Sequence, residues 1–143
     1  MVVYEGLTEY AIKKILDHVM GRAAWTMPTT VYMALFNGDP TGAGTELTAP
    51  PCTGYARKAI TSSAATFAAP VGTIVNSVDI DFGIAGSAWG TVDYSAIYDQ
   101  LTGGNMLSSS PLEVVRSIQL DDPAKFPAST SACKVRITRA TVP

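Results

Sequence analysis

Near the start of the chain, apolar residues recur at helical spacing. Ile12, Ile15, Leu16, Val19 and Met20 form one stripe, and Lys13, Lys14, Asp17 and His18 take the other face. Thr8 supplies an N-cap hydroxyl, and Leu7 and Ile12 stand at the spacing of a hydrophobic staple. Gly21 offers the left-handed residue that ends a helix. The pattern predicts an amphipathic helix over 8–21. A helix this short does not persist alone in water, so its stripe must pack on the protein's own sheet or on a neighbouring subunit.

Beyond the helix the period changes to two. Residues 31–36 are apolar on both faces and read as a buried strand. Residues 37–54 carry four Gly and three Pro and predict a long loop without regular structure. Residues 55–61 form a strand candidate. In 74–82, Ile74, Val78, Ile80 and Phe82 share a face interrupted by Asn76, while Asp79 and Asp81 lie on the other. Residues 83–90 connect to a strand over 91–99, with Val92, Tyr94, Ala96 and Tyr98 on one side. Turn chemistry at Gly103 and Gly104 allows 105–109 to return as a hairpin partner, and 114–120 alternates again. The last strand places Cys133, Val135 and Ile137 inward and Lys134, Arg136 and Thr138 outward.

Short strands separated by turns, with no helix between them, predict a mainly β fold. The expected architecture is an antiparallel β-sandwich, jelly-roll-like, with one N-terminal amphipathic α-helix. The chain of 143 residues is expected to form a single domain, 1–143, with the sandwich over 30–143.

Composition narrows the functions. Ten Lys and Arg against twelve Asp and Glu give a net charge of −2, a poor balance for gripping a phosphate backbone, so nucleic acid is not an expected partner. No apolar run approaches the length of a membrane-spanning helix, and the N-terminus lacks the basic and apolar regions of a signal peptide. Charged residues make up 15 % of the chain, which suits a surface partly covered by copies of itself or by a partner. The two cysteines, Cys52 and Cys133, cannot build a disulfide framework or a four-cysteine zinc site, and both are expected to be reduced.

Catalytic chemistry has few candidates. His18 is the only histidine, lies on the polar face of the helix, and has no nucleophile elbow to serve. The Gly42-Ala43-Gly44 segment lacks the lysine of a phosphate loop. Asp79, Asp81, Asp93, Asp99, Asp121 and Asp122 have no calcium-loop spacing, and a solvated strand face explains them. Asp93 and Asp99 sit six residues apart on one strand, near 20 Å at ~3.3 Å per residue, too far for a glycosidase pair. No cofactor is expected. Trp25, Tyr32, Tyr55, Trp89, Tyr94 and Tyr98 could supply a sugar platform or an interface, but core packing is the expectation for Trp89, Tyr94 and Tyr98.

An ordered series of short segments carries one further signal: Phe36-Asn37-Gly38-Asp39-Pro40, Gly54-Tyr55-Ala56-Arg57, Trp89-Gly90-Thr91-Val92, Ile97-Tyr98-Asp99 and Gly103-Gly104-Asn105-Met106-Leu107. In this series the chain resembles small virion proteins of tailed bacteriophages, many labelled tail fibre protein. The resemblance runs from Thr8 to about Leu107. Typical members continue with a Gly-Asp-x-Phe segment, where this chain has Asp122-Pro123-Ala124-Lys125-Phe126 without the glycine. The resemblance implies no catalytic residues. It implies a non-enzymatic virion protein, made in the bacterial cytoplasm and carried on the outer capsid surface or the tail. The reading drawn from it is a capsid decoration (cement) protein, a homo-oligomer and specifically a trimer, seated on the major capsid protein. The alternative is a tail component, a fibre-associated adhesin touching a host surface glycan. In either case the interface residues expected are Ile12, Ile15, Leu16 and Val19 on the helix acting as a docking arm, with Trp25, Asp39 and Tyr55.

Overall fold

The computed structural model describes residues 6–26, 28–61, 65–68, 73–127 and 134–136. A two-residue strand, β1 (Gly6–Leu7), leads into α1 (Glu9–Val19). The helix begins where the sequence places it. The Thr8 hydroxyl accepts the Ala11 N–H and donates to the Met106 carbonyl at 2.6 Å, so the cap also ties the helix to the sheet. It ends in a Schellman motif: Gly21, at φ 68°, donates to the His18 carbonyl, and the Arg22 N–H reaches the Asp17 carbonyl at 2.8 Å.

Nine more strands follow: β2 (Thr30–Asn37), β3 (Thr45–Glu46), β4 (Lys58–Thr61), β5 (Ala65–Ala68), β6 (Thr73–Asn76), β7 (Ile80–Ile84), β8 (Gly90–Tyr98), β9 (Met106–Ile118) and β10 (Pro123–Phe126). A last strand, β11 (Lys134–Arg136), completes the described residues. All their pairings are antiparallel. The large sheet runs β1-β9-β8-β2-β3, with β4 also paired to β2. β7 and β10 form a second sheet, and β5, β6 and β11 a third. Met33, Leu35, Val92, Ile97 and Leu107 from the large sheet meet Ile80, Phe82 and Ala124 from β7 and β10 in one core, joined by Trp89 and Tyr55. This is the mainly β, antiparallel fold with one N-terminal helix that the pattern predicts.

Several details differ from the sequence expectation, each for a local reason. The loop over 37–54 contains β3, which folds back on Phe36 and Asn37. The expected strand over 74–82 is two strands. Asn76 is turned inward, and its Nδ2 donates to the Val78 and Pro127 carbonyls, ending β6 and leaving Val78 exposed. The expected strands over 105–109 and 114–120 are parts of β9, which runs through Pro111. Between Val92 and Tyr94 the ladder slips from Arg116 to Pro111, so residues 112–115 stand opposite Asp93 alone. That bulge reverses the facing of β8: Val92 joins Ile97 in the main core, while Tyr94 and Tyr98 pack with Ala34, Phe36 and Ala96 on the opposite face. Cys133 and Ile137, expected to point inward, lie outside the described residues.

In the turn before β10, Asp121 itself takes the left-handed conformation at φ 67°. Its N–H donates to the Ala85 carbonyl, and Gln119 N–H donates to the Asp122 carboxylate, so the turn closes without a glycine. Gly44 is required for a different reason: a Cβ there would sit 2.4 Å from the Gly38 carbonyl and 2.5 Å from the Asp39 backbone. Gly44→Ala is expected to lower unfolding stability by about 1–3 kcal/mol. Chemical denaturation should read this as a lower midpoint with an unchanged slope.

Candidate functional site

The residues expected at an interface separate into an outer group and an inner one. On α1, Ala11 faces the core with Leu7 and Tyr10 beside it. The apolar stripe faces away: Ile12 is 44 %, Leu16 56 %, Val19 72 % and Met20 72 % exposed, with Ile15 half-buried. The stripe is thus not what docks the helix on its own sheet. Lys13 pairs with Asp17 across one turn and Arg22 approaches the same carboxylate, which holds the Asp17 carboxyl below its usual range.

Trp25 packs against the core, and its backbone N–H donates to His18 Nδ1 at 3.1 Å. It pins the segment after the helix, and His18, exposed on the polar face as the sequence reading has it, serves as the acceptor. Asp39 is exposed, but its carboxylate accepts the Thr41 N–H at 2.8 Å and hydroxyl at 2.7 Å, organising the turn after β2. Tyr55 corrects the expectation of a surface contact, because it is buried in the core. Its ring stacks on Phe82 at 6.0 Å and meets Trp89 edge-on at 5.6 Å.

The Tyr55 hydroxyl accepts the buried Leu35 N–H at 3.0 Å and lies 3.4 Å from Glu46. Glu46 in turn takes two N–H groups of Arg57 at 2.7 Å each, a fork-to-fork pair. The remaining Arg57 nitrogen donates to the Gln100 carbonyl at 2.9 Å and the Gly103 carbonyl at 2.7 Å. The guanidinium lies 3.7 Å from the centroid of the Tyr98 ring. Sequence reasoning missed this network; the Gly54-Tyr55-Ala56-Arg57 segment was its one visible trace. Burial pushes the Tyr55 hydroxyl up, with Glu46 adding to it, and Tyr98 is raised chiefly by burial.

The acidic residues are engaged in turns. Asp93 accepts the Gly38 N–H at 2.6 Å, Asp99 takes the Asn105 backbone and side-chain N–H groups, Asp81 accepts Gly83, and Asp79 pairs with Lys125. Among the described residues no three His, Cys, Asp or Glu side chains gather as a metal site. Cys52 is buried, with its thiol 3.9 Å from the Trp89 carbonyl. The polar chemistry thus builds the fold, and what the molecule presents outward is apolar surface on α1 and on β9.

One comparison gives this arrangement a context. The family model described as podophage GP4 fiber I protein gp80 matches residues 6–134, from β1 into β11. A match of that extent defines the class as structural proteins of bacteriophage fibres, components of the virion. The chain belongs to the podophage GP4 fiber I protein gp80 family. No curated protein matches it. The match also reaches past Leu107, where the sequence resemblance faded, through the Asp121 turn and β10.

Two outcomes are expected at the inner network. Removing Arg57 (Arg57→Ala) leaves the mostly buried Glu46 carboxylate unpaired and should cost about 2–4 kcal/mol in denaturation. The raised Tyr55 hydroxyl keeps its proton in the folded chain while an unfolded tyrosine loses it near its ordinary value of 10.0. The folded state therefore binds more protons, and stability should fall as pH rises from there. Tyr55→Phe should flatten that alkaline slope in a circular-dichroism titration while lowering stability at neutral pH.

Proposed function

We propose that this chain is a structural subunit of a phage tail fibre, acting by assembly and not by catalysis. The family match over 6–134 carries the reading, because the family is described by a fibre protein. The structure supports it: the carboxylates of Asp79, Asp93 and Asp99 are committed to turns and an ion pair, and the apolar stripe of α1 is left exposed. Capsid decoration drew on low charge and a self-covering surface, and both suit a fibre subunit equally well. It therefore has less support than the tail position.

The stripe of Ile12, Leu16, Val19 and Met20 is proposed to seat on the apolar surface of another fibre or tail protein, where burial would recover about 25 cal/mol per Å². Glycan contact is left out of this reading. Of the aromatics considered for an adhesive platform, Trp25 and Tyr55 both pack on the core.

Copy number per particle tests the tail position. Quantitative mass spectrometry of purified virions should find the chain at a small fraction of the major capsid protein. A ratio near one, or a simple fraction such as one third, would favour the shell instead. Leu16→Asp with Val19→Asp should remove the chain from virions while leaving its circular-dichroism spectrum native. Unchanged occupancy would exclude the helix as the attachment.

A further inference from the structure

In β9, residues 112–115 have no strand partner among the described residues. On one edge β8 pairs as far as Pro111 and resumes at Arg116; on the other, β1 reaches only Ser108 and Ser109. The uncovered segment is also apolar outward: Val114 is 64 % and Val115 60 % exposed. An edge left without a partner among the described residues is a template for another chain.

The sequence across the segment is self-complementary. It reads Glu113-Val114-Val115-Arg116, and neither Glu113 nor Arg116 has an ion-pair partner among the described residues. We propose that β9 pairs antiparallel with β9 of a second copy, about a twofold axis between Val114 and Val115. That register sets Glu113 opposite Arg116 of the copy, Val114 opposite Val115, and Leu112 opposite Ser117. Both symmetry-related charge pairs form at once, as an isologous contact requires. A register slipped by one residue loses the reciprocal pairing.

Six residues a side bury less than the ~1,200 Å² at the lower end of stable interfaces, so neighbouring apolar surface must join the contact. The surface is there. Val114, Pro123 and Phe126 line an open groove of about 580 Å³ between β9 and β10. Ile84, paired with Pro123, and Leu120, in the turn between the two strands, are 67 % and 59 % exposed. The groove lining carries Glu113 and Asp122 against Arg116 and Lys125, a neutral set that does not repel its own copy.

The contact deepens the reading of the chain as an assembling subunit and rests on it. It is tested on the purified full chain, whereas that reading is tested on virions, so either can fail alone. Light scattering after size exclusion should show a dimer. Glu113→Arg and Arg116→Glu, each separately, place like charges across the axis and should weaken dimerisation by about tenfold or more. Mixing the two variants one to one restores both opposite pairs and should restore a heterodimer, and the double variant E113R/R116E should dimerise by itself.

Four results would overturn the proposal. One is a monomeric wild type. Another is a wild-type dimer indifferent to either single change. A third is variants with native circular dichroism that do not recombine, together with a double variant that stays monomeric. The fourth is dimerisation that appears only when residues 1–5 are deleted, which would assign the edge to the chain's own N-terminus.

Discussion

The amide of Leu35 sets the terms for this fold. It sits in the middle of β2, wholly buried, at the gap between the two strands that share one edge of β2. β4 covers that edge from Thr30 to Met33, and β3 covers Phe36 and Asn37, so neither supplies the ladder bond at Leu35. A buried N–H left unpaired costs about 1–3 kcal/mol, a sizeable share of a small protein's stability. The Tyr55 hydroxyl takes that N–H, and the Leu35 carbonyl accepts the Leu47 N–H. From Tyr55 the bonding continues to Glu46, then to Arg57, then to the carbonyls of the turn between β8 and β9. One side chain thus closes a gap along β2 and, through its neighbours, fixes a hairpin at the rim.

The division of labour in the molecule follows. Polar groups that enzymes would use for chemistry are here spent on geometry. Asp93 holds the start of the loop after β2, Asp99 closes the hairpin turn, and Asp122 caps the turn before β10. Aromatic rings are likewise turned inward around Tyr55. Among the described residues, exposed apolar side chains include the outward stripe of α1 and Val114 and Val115 on β9. A subunit that spends its polar groups on its own turns and carries apolar outer faces is suited to being built into something larger, which accords with its membership of a phage fibre family.

The elements whose rules are local were legible in the sequence. Thr8 and Gly21 bound the helix as expected, and β2 stands where an unbroken apolar run placed it. Elements that depend on distant partners were not. Nothing in the alternation of Val92, Tyr94, Ala96 and Tyr98 announces a bulge, because four residues of β9 absorb it some twenty positions later. The segments 105–109 and 114–120 read as separate strands, yet Pro111 between them sits in the ladder opposite Tyr94. Asn76 was seen as an interruption, but its reach to the Val78 and Pro127 carbonyls, which ends the strand, was not. For the candidate site, the helix stripe was legible, but its outward direction was not, since periodicity marks an apolar face without saying what covers it. Tyr55 was misplaced because a tyrosine opening a short strand candidate after a long loop does not reveal that its hydroxyl fills the Leu35 gap.

The account's central claim is that this chain belongs to the tail and not to the shell. Electron microscopy of virions labelled with gold-tagged antibody to the chain addresses it directly. The account predicts label confined to fibres at the tail vertex. Label spread evenly over the capsid surface would contradict it.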